Sequence, residues 1–235
     1  MLLRHSIVPT EGNAMQTMTL TAKFGWGLMT AGVLLLFLFS LRYFLAGDAA
    51  YFPRQLETYK AHEVGLLIHI GAMMIAVLLG PFQFLRSFRN KHRAVHRAMG
   101  RVYLMAGTIG ALGGLYMSFF SANGAITGVS FFLLGAGVLL TNTQGFRAIK
   151  GGNVQTHREW MTRSFALLLA AVTLRIYAAP LEMAFGEDTG YIIVAWACWV
   201  PNILVAEWVI RRQRQTGREP KRSAMGMASA TGPAA

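Results

Sequence analysis

From Leu66 to Leu85 the chain is almost continuously apolar, and runs of this kind recur along most of its 235 residues. A run of about 20 apolar residues is what a helix needs to cross the hydrocarbon layer of a bilayer. With no water there, the backbone must satisfy its own hydrogen bonds, so only helices or closed barrels span it. These runs are continuous rather than alternating, which selects helices. The sequence therefore predicts an all-α integral membrane bundle.

Composition supports the same class. Charged residues are 14% of the chain, against about 25% in soluble domains. The net charge of +12 would suggest nucleic acid in a soluble protein. Here the basic residues lie between and after the apolar runs, where they set topology and attract anionic lipid head groups. Nucleic acid is not expected as a partner. The single cysteine, Cys198, excludes an intrachain disulfide and a thiolate metal cluster.

Six spans are expected, at about Phe24–Leu45, His62–Leu85, Gly100–Phe120, Gly128–Ile149, Trp160–Met183 and Gly190–Ile210. They define a membrane domain over 23–211, between a disordered lead (1–22) and a basic, disordered tail (212–235). Residues 1–23, the 86–101 loop, the 147–163 loop and residues 211–235 hold 18 of the 22 Lys and Arg residues. The positive-inside rule then places both termini and both of these loops in the cytoplasm of a bacterial inner membrane. Two hairpins joined by His-Arg loops, spans two and three and spans four and five, form a weak repeat. They suggest a four-helix core from spans two to five.

Polar residues within spans are costly and mark functional hypotheses. In the second span His62, His69 and Gln83 fall on a seven-residue spacing and share a face. His69 is open to three readings: a buried structural histidine, a haem ligand or a proton relay. Arg175 is the most informative residue. An uncompensated arginine at its depth costs several kcal/mol, so it needs an anionic or strongly polar partner: a haem propionate, a lipid or quinone head group, Glu182 or Glu63. His157 and Arg175 lie five helical turns apart and are expected to share a face. In the third span His96, Tyr103, Gly107, Gly110 and Gly114 share a face, for close helix packing or for a flat macrocycle. Asn142 is expected to face the bundle, and Glu207 to pair with Arg211 or a loop cation. His96 and His157 begin spans three and five on one side. They are candidate haem-iron ligands, though both sit near head-group level. No Walker loop, dinucleotide fingerprint, zinc helix or nucleophile elbow is present, so the sequence assigns no enzyme class.

The run His69…Arg97…Gly100-Arg101-Val102-Tyr103, the glycine-rich third span, then His157-Arg158-Glu159-Trp160-Met161-Thr162-Arg163-Ser164 and Thr173-Leu174-Arg175 resembles a bacterial family of predicted membrane proteins, domain of unknown function 2306. The resemblance covers about residues 62–210 and implies a membrane class without an activity. A looser resemblance is to six-span, two-haem cytochromes b. Those place four histidines on four central helices, whereas the fourth span here has none. Two functional expectations follow. The first is non-enzymatic transport or lipid and anion binding, with His69 and Arg175 on a small anionic ligand. The second is a redox protein holding b-type haem or quinone between spans two to five. Its cofactor-binding residues would be His69, His96, His157 and Arg175, with His96 and His157 on the iron.

Overall fold

The computed structural model describes residues 20–216; the remainder of the expected lead and tail lies outside them. Among the described residues every regular element is helical: α1 (Leu20–Ser40), α2 (Arg42–Leu45), α3 (Leu56–Ala61), α4 (Glu63–Phe84), α5 (Arg86–Lys91), α6 (Arg93–Ser118), α7 (Gly124–Lys150), α8 (Val154–Leu168), α9 (Ala170–Phe185), α10 (Glu187–Ala197) and α11 (Val200–Thr216). Two short 3₁₀ turns, Gly47–Ala50 and Pro53–Gln55, lie between α2 and α3.

Five segments are long and apolar enough to cross a membrane: Lys23–Leu45, Glu63–Phe84, Gly124–Lys150, Val154–Phe185 and Glu187–Gln215. The third expected span, within α6, is not among them. Its glycines, two tyrosines and the arginines of its first turns dilute its apolar content.

α6 nonetheless lies between two other long helices. It packs along α4 on one side and α7 on the other, and α7 packs along α8. Its glycines explain the closeness. A Cβ at Gly113 would lie 3.0 Å from the His69 Cβ, and one at Gly110 would lie 2.8 Å from the Met73 Cγ. Small residues let helix backbones approach in this way where lipid supplies no hydrophobic drive. The principal buried cluster joins Val33 and Leu36 of α1, Ala76 and Val77 of α4, Tyr103 of α6, Val138 of α7 and Phe165 of α8. The Phe165 ring fills the place a side chain would take at Gly80.

The bundle has two chemically different ends. At the basic end lie the starts of α6 and α8 and the ends of α7 and α11. There Arg163 Nε and Nη2 donate to Glu207 Oε1 and Oε2 at 2.5 and 3.0 Å. Arg214 forks onto Glu159, Nε to Oε1 at 2.7 Å. Two bidentate pairs thus clasp α11 to α8. The second basic stretch supplies the loop cation expected for Glu207. Trp26 Nε1 donates to the Pro81 carbonyl at 3.1 Å and ties α1 to α4 there. At the opposite, tyrosine end, the segment between α2 and α4 folds back as a cap. Its second buried cluster holds Tyr43, Ala50, Tyr51 and Leu66. Tyr51 donates to Glu63 Oε1 at 3.0 Å, and Lys60 to Asp48 Oδ2 at 2.6 Å. Arg54 pairs with Asp188 and so joins the cap to α10.

Candidate functional site

Towards the tyrosine end α1, α4 and α9 leave a half-open cavity of about 100 Å³. Its wall is apolar, from Leu36, Phe37, Ile70, Met73, Met74 and Val77, and its polar groups are Ser40, His69 and Arg175. His69 and Arg175, expected together on a small anionic ligand, both line this cavity.

His69 is fixed by its helix neighbour. Its Nδ1 lies 2.7 Å from the Gly110 carbonyl. A carbonyl only accepts, so Nδ1 carries the hydrogen and Nε2 is left for another partner. The ring fits because Gly114 has no side chain: a Cβ there would come within 3.0 Å of Nδ1 and Cε1.

Arg175 uses one donor within its own helix, Nη1 to the Ala171 carbonyl at 2.8 Å. Its guanidinium lies 5.2 Å from the centre of the Phe39 ring. Arg42 approaches the same ring at 4.2 Å and also sits over Tyr43 and Phe52 at 5.0 and 4.6 Å. It donates to the Tyr43 hydroxyl at 3.3 Å, and its Nε is buried without a partner. Cation–π contacts of this kind hold a guanidinium without neutralising it. Among the described residues no carboxylate pairs with either arginine. Of the acidic candidates for Arg175, Glu63 accepts from Tyr51 instead, and Glu182 makes no ion pair with it.

The remaining predicted residues lie elsewhere. His157 Nδ1 donates to the Gly145 carbonyl of α7 at 2.8 Å. His157 meets α7 and Arg175 meets α1, so the two have different neighbours. The one turn residue between α8 and α9, Leu169, keeps helical backbone angles, and Val154–Phe185 runs as one membrane-length helix. His96 stands near His157 and Arg89 at the basic end, and its Nδ1 is buried without a partner. The glycine face of α6 is occupied by His69, Met73 and Asn142, so it offers no slot for a flat macrocycle and serves close packing. Among the described residues no group of three or more His, Cys, Asp or Glu converges to hold a metal ion.

Sequence reasoning missed two features. Arg42 stands out only in the structure, where it shares Phe39 with Arg175. Glu159 was passed over, although it is 5% exposed and takes the Arg214 fork. The Glu159 signal was present: a carboxylate inside a basic stretch calls for a cation that tertiary structure must bring.

A helical chain with five membrane-length apolar segments defines a multi-pass integral membrane protein. The family model described as predicted membrane protein, DUF2306, matches residues 66–210, and the chain belongs to that family. Neither a curated protein nor a solved structure matches it.

Proposed function

We propose that this protein binds an anionic group, as a lipid head group or a small solute, in the cavity between α1, α4 and α9, and that its role is transport or lipid handling rather than catalysis. The observation that carries this reading is the pair of arginines on one ring. Arg42 and Arg175 both lie against Phe39 with no carboxylate beside them. Two uncompensated cations against one ring repel each other, and at this depth in a bilayer lipid rather than water would surround them. An anion between them offsets both costs. His69 Nε2 supplies a third polar contact, and the apolar wall suits an acyl chain below a charged head.

The same reading takes α6 as a sixth span, because it is enclosed by α4 and α7. Its four-helix core is α4, α6, α7 and the α8–α9 segment. The membrane domain runs over 23–211, between the lead and the tail. The basic end, with its Lys and Arg excess, faces the cytoplasm of a bacterial inner membrane and grips anionic lipid.

The test uses purified protein in mild detergent. Native mass spectrometry would follow binding of phosphatidylglycerol and phosphatidylcholine, and calorimetry would follow inorganic phosphate. The expected result is retention of phosphatidylglycerol or phosphate by the wild type and its loss in Arg175→Gln. Phosphatidylglycerol binding alone identifies a lipid head group, and phosphate binding alone a free solute. Equal binding of both lipids, unaffected by Arg175→Gln, together with no phosphate binding, overturns the reading.

A further inference from the structure

His69 reaches the cavity with one ring nitrogen already committed. Its Nδ1 donates to the Gly110 carbonyl at 2.7 Å, and the Nδ1–Cε1 edge of the ring lies against Gly114. Nε2 is the nitrogen left to the cavity that His69 lines. A neutral imidazole carries one N–H. With that hydrogen on Nδ1, Nε2 presents a lone pair and only accepts. An anion also only accepts, so a neutral His69 offers it nothing at this atom. The imidazolium has an N–H on both nitrogens. It alone donates from Nε2 while keeping the bond to Gly110.

The surrounding groups do not take this part in its place. From α9, Arg175 is the charged group that faces His69, and a guanidinium stays charged at any ordinary pH. α1 brings Leu36, Phe37 and Ser40 to the cavity, and α6 meets the ring with Gly110, Gly113 and Gly114; none of these ionises. Among the described residues no Asp or Glu lines the cavity. Around Arg175 stand Tyr43, Tyr59, Tyr191 and Arg42, residue types that change charge only at about pH 10 or above. On α4 itself, His62 lies two turns away against Tyr116 and Phe120, and Glu63 accepts from Tyr51. Of the described residues that line the cavity, His69 is therefore the one whose charge changes between about pH 5 and 8.

We propose that anion binding in this cavity is coupled to the uptake of one proton at His69 Nε2, which rests on the reading of the cavity as an anion site. The step balances without a co-reactant. One N–H bond forms at Nε2 with a proton from solvent, and nothing is oxidised or reduced. The cavity is half-open, so proton and anion enter by the same mouth and no path through the bundle is needed. The imidazolium is a second positive charge beside Arg175, and the bound anion attracts both. Proton and anion therefore favour each other, and the coupling is reciprocal. The Gly110 carbonyl holds the ring in either charge state, so the proton changes the charge of the site without moving the ring. The site loads at low pH and empties as the pH rises.

The test is calorimetric binding of two probes to the full chain in mild detergent, between about pH 5.5 and 8.5. Phosphatidylmethanol stands for a lipid head group and sulfate for a free solute. Both keep a fixed charge over this range and carry no hydrogen to donate. Wild-type affinity for at least one of them should fall about ten-fold or more as the pH rises across the window, and the probe that shows this identifies the source of the anion. Titrations in buffers of different ionisation enthalpy should show net proton uptake, at most about one per anion. His69→Gln offers an amide donor that does not titrate, and its affinity should vary by less than about two-fold over the same window. His62→Gln should keep the wild-type slope. The buffer comparison needs only the wild type, so the proposal stays falsifiable if His69→Gln does not fold. Binding that is lost in Arg175→Gln but is flat in pH, with no proton uptake, overturns the coupling and leaves the anion site standing. A wild-type slope in His69→Gln does the same. So does binding of phosphatidylglycerol or phosphate without either fixed-charge probe, which would make Nε2 an acceptor for the ligand's own hydrogen. Binding of none of the four overturns the anion site as well.

Discussion

The two ends of the bundle treat arginine in opposite ways. At the basic end Arg163 and Arg214 each fork onto a carboxylate, and the carboxylates, Glu207 and Glu159, come from elements that must be held together. At the tyrosine end Arg42 and Arg175 meet aromatic rings and one backbone carbonyl. The first arrangement joins helices. The second keeps two cations in place and leaves their charge unmet. The cap beside them does contain ion pairs, Lys60–Asp48 and Arg54–Asp188, but these are exposed and screened by solvent. Of the two arginines on Phe39, Arg175 lines the cavity.

The sharpest way to break this comparison is at Glu159. Glu159→Ala leaves the Arg214 guanidinium without its fork and opens a buried site beside Gln155. Loss of a buried pair costs about 3–5 kcal/mol. Arg214 is itself 55% exposed, so water recovers part of this and about 2–3 kcal/mol is expected. Thermal unfolding in detergent should show the loss. Arg163→Gln should follow with a smaller drop. If neither variant moves the midpoint, the basic-end pairs do not clasp α11.

Arg175→Gln is the counterpart at the other end. Stability should change by no more than about 0.5 kcal/mol, the range for a substitution that breaks no network, or should rise as the repulsion with Arg42 is relieved. Anion affinity should fall about 10- to 100-fold, which corresponds to about 1.4–2.8 kcal/mol for one charge-assisted contact. A stability loss as large as that of Glu159→Ala would make Arg175 a structural residue and erase the contrast.

Gly114→Ala sharpens the comparison more gently. The new Cβ would sit 3.0 Å from the His69 ring, which must shift by a few tenths of an ångström and lengthen its bond to the Gly110 carbonyl. Alanine also improves the helix by about 1 kcal/mol over glycine. The two effects oppose each other, so stability should stay nearly level while anion affinity falls a few-fold. Binding and melting measured on one preparation separate them.

How much of this was legible follows from the kind of signal each feature needs. The second span was expected over His62–Leu85 and is found as Glu63–Phe84, because an apolar run bounded by polar residues marks its own ends. The seven-residue spacing of His62, His69 and Gln83 placed all three towards α6, since one straight helix keeps its phase. His69 and Arg175 stand out in sequence because polar residues inside a span are costly, and both line the cavity. His157 and Arg175, expected on one face, meet different neighbours, α7 and α1, because the two ends of the Val154–Phe185 helix lie against different helices. The partners of Glu159 and Arg42 were not legible, because α11 and the cap reach them only through tertiary packing.

The smallest effect is expected in the cap that covers the cavity end. Burial, together with its bond to Glu63, pushes the Tyr51 hydroxyl up from 10.0 to about 12. The folded protein therefore holds this proton at a pH where the unfolded chain has released it. By linkage, stability falls with pH wherever the folded state binds more protons. The contribution is present in full below pH 10 and is lost as the pH climbs towards 12. Ultraviolet titration of the phenolate band should show a step near pH 12 from Tyr51 in the wild type, apart from the ionisation of Tyr59, which burial also pushes up. Tyr51→Phe should remove that late step and flatten the decline in stability over the same window. The basic-end pairs involve guanidinium groups that stay charged throughout this range. Their clasp of α11 should be unaffected, so alkaline loss of the cap with α8 and α11 still joined would show that the two ends are held by independent means.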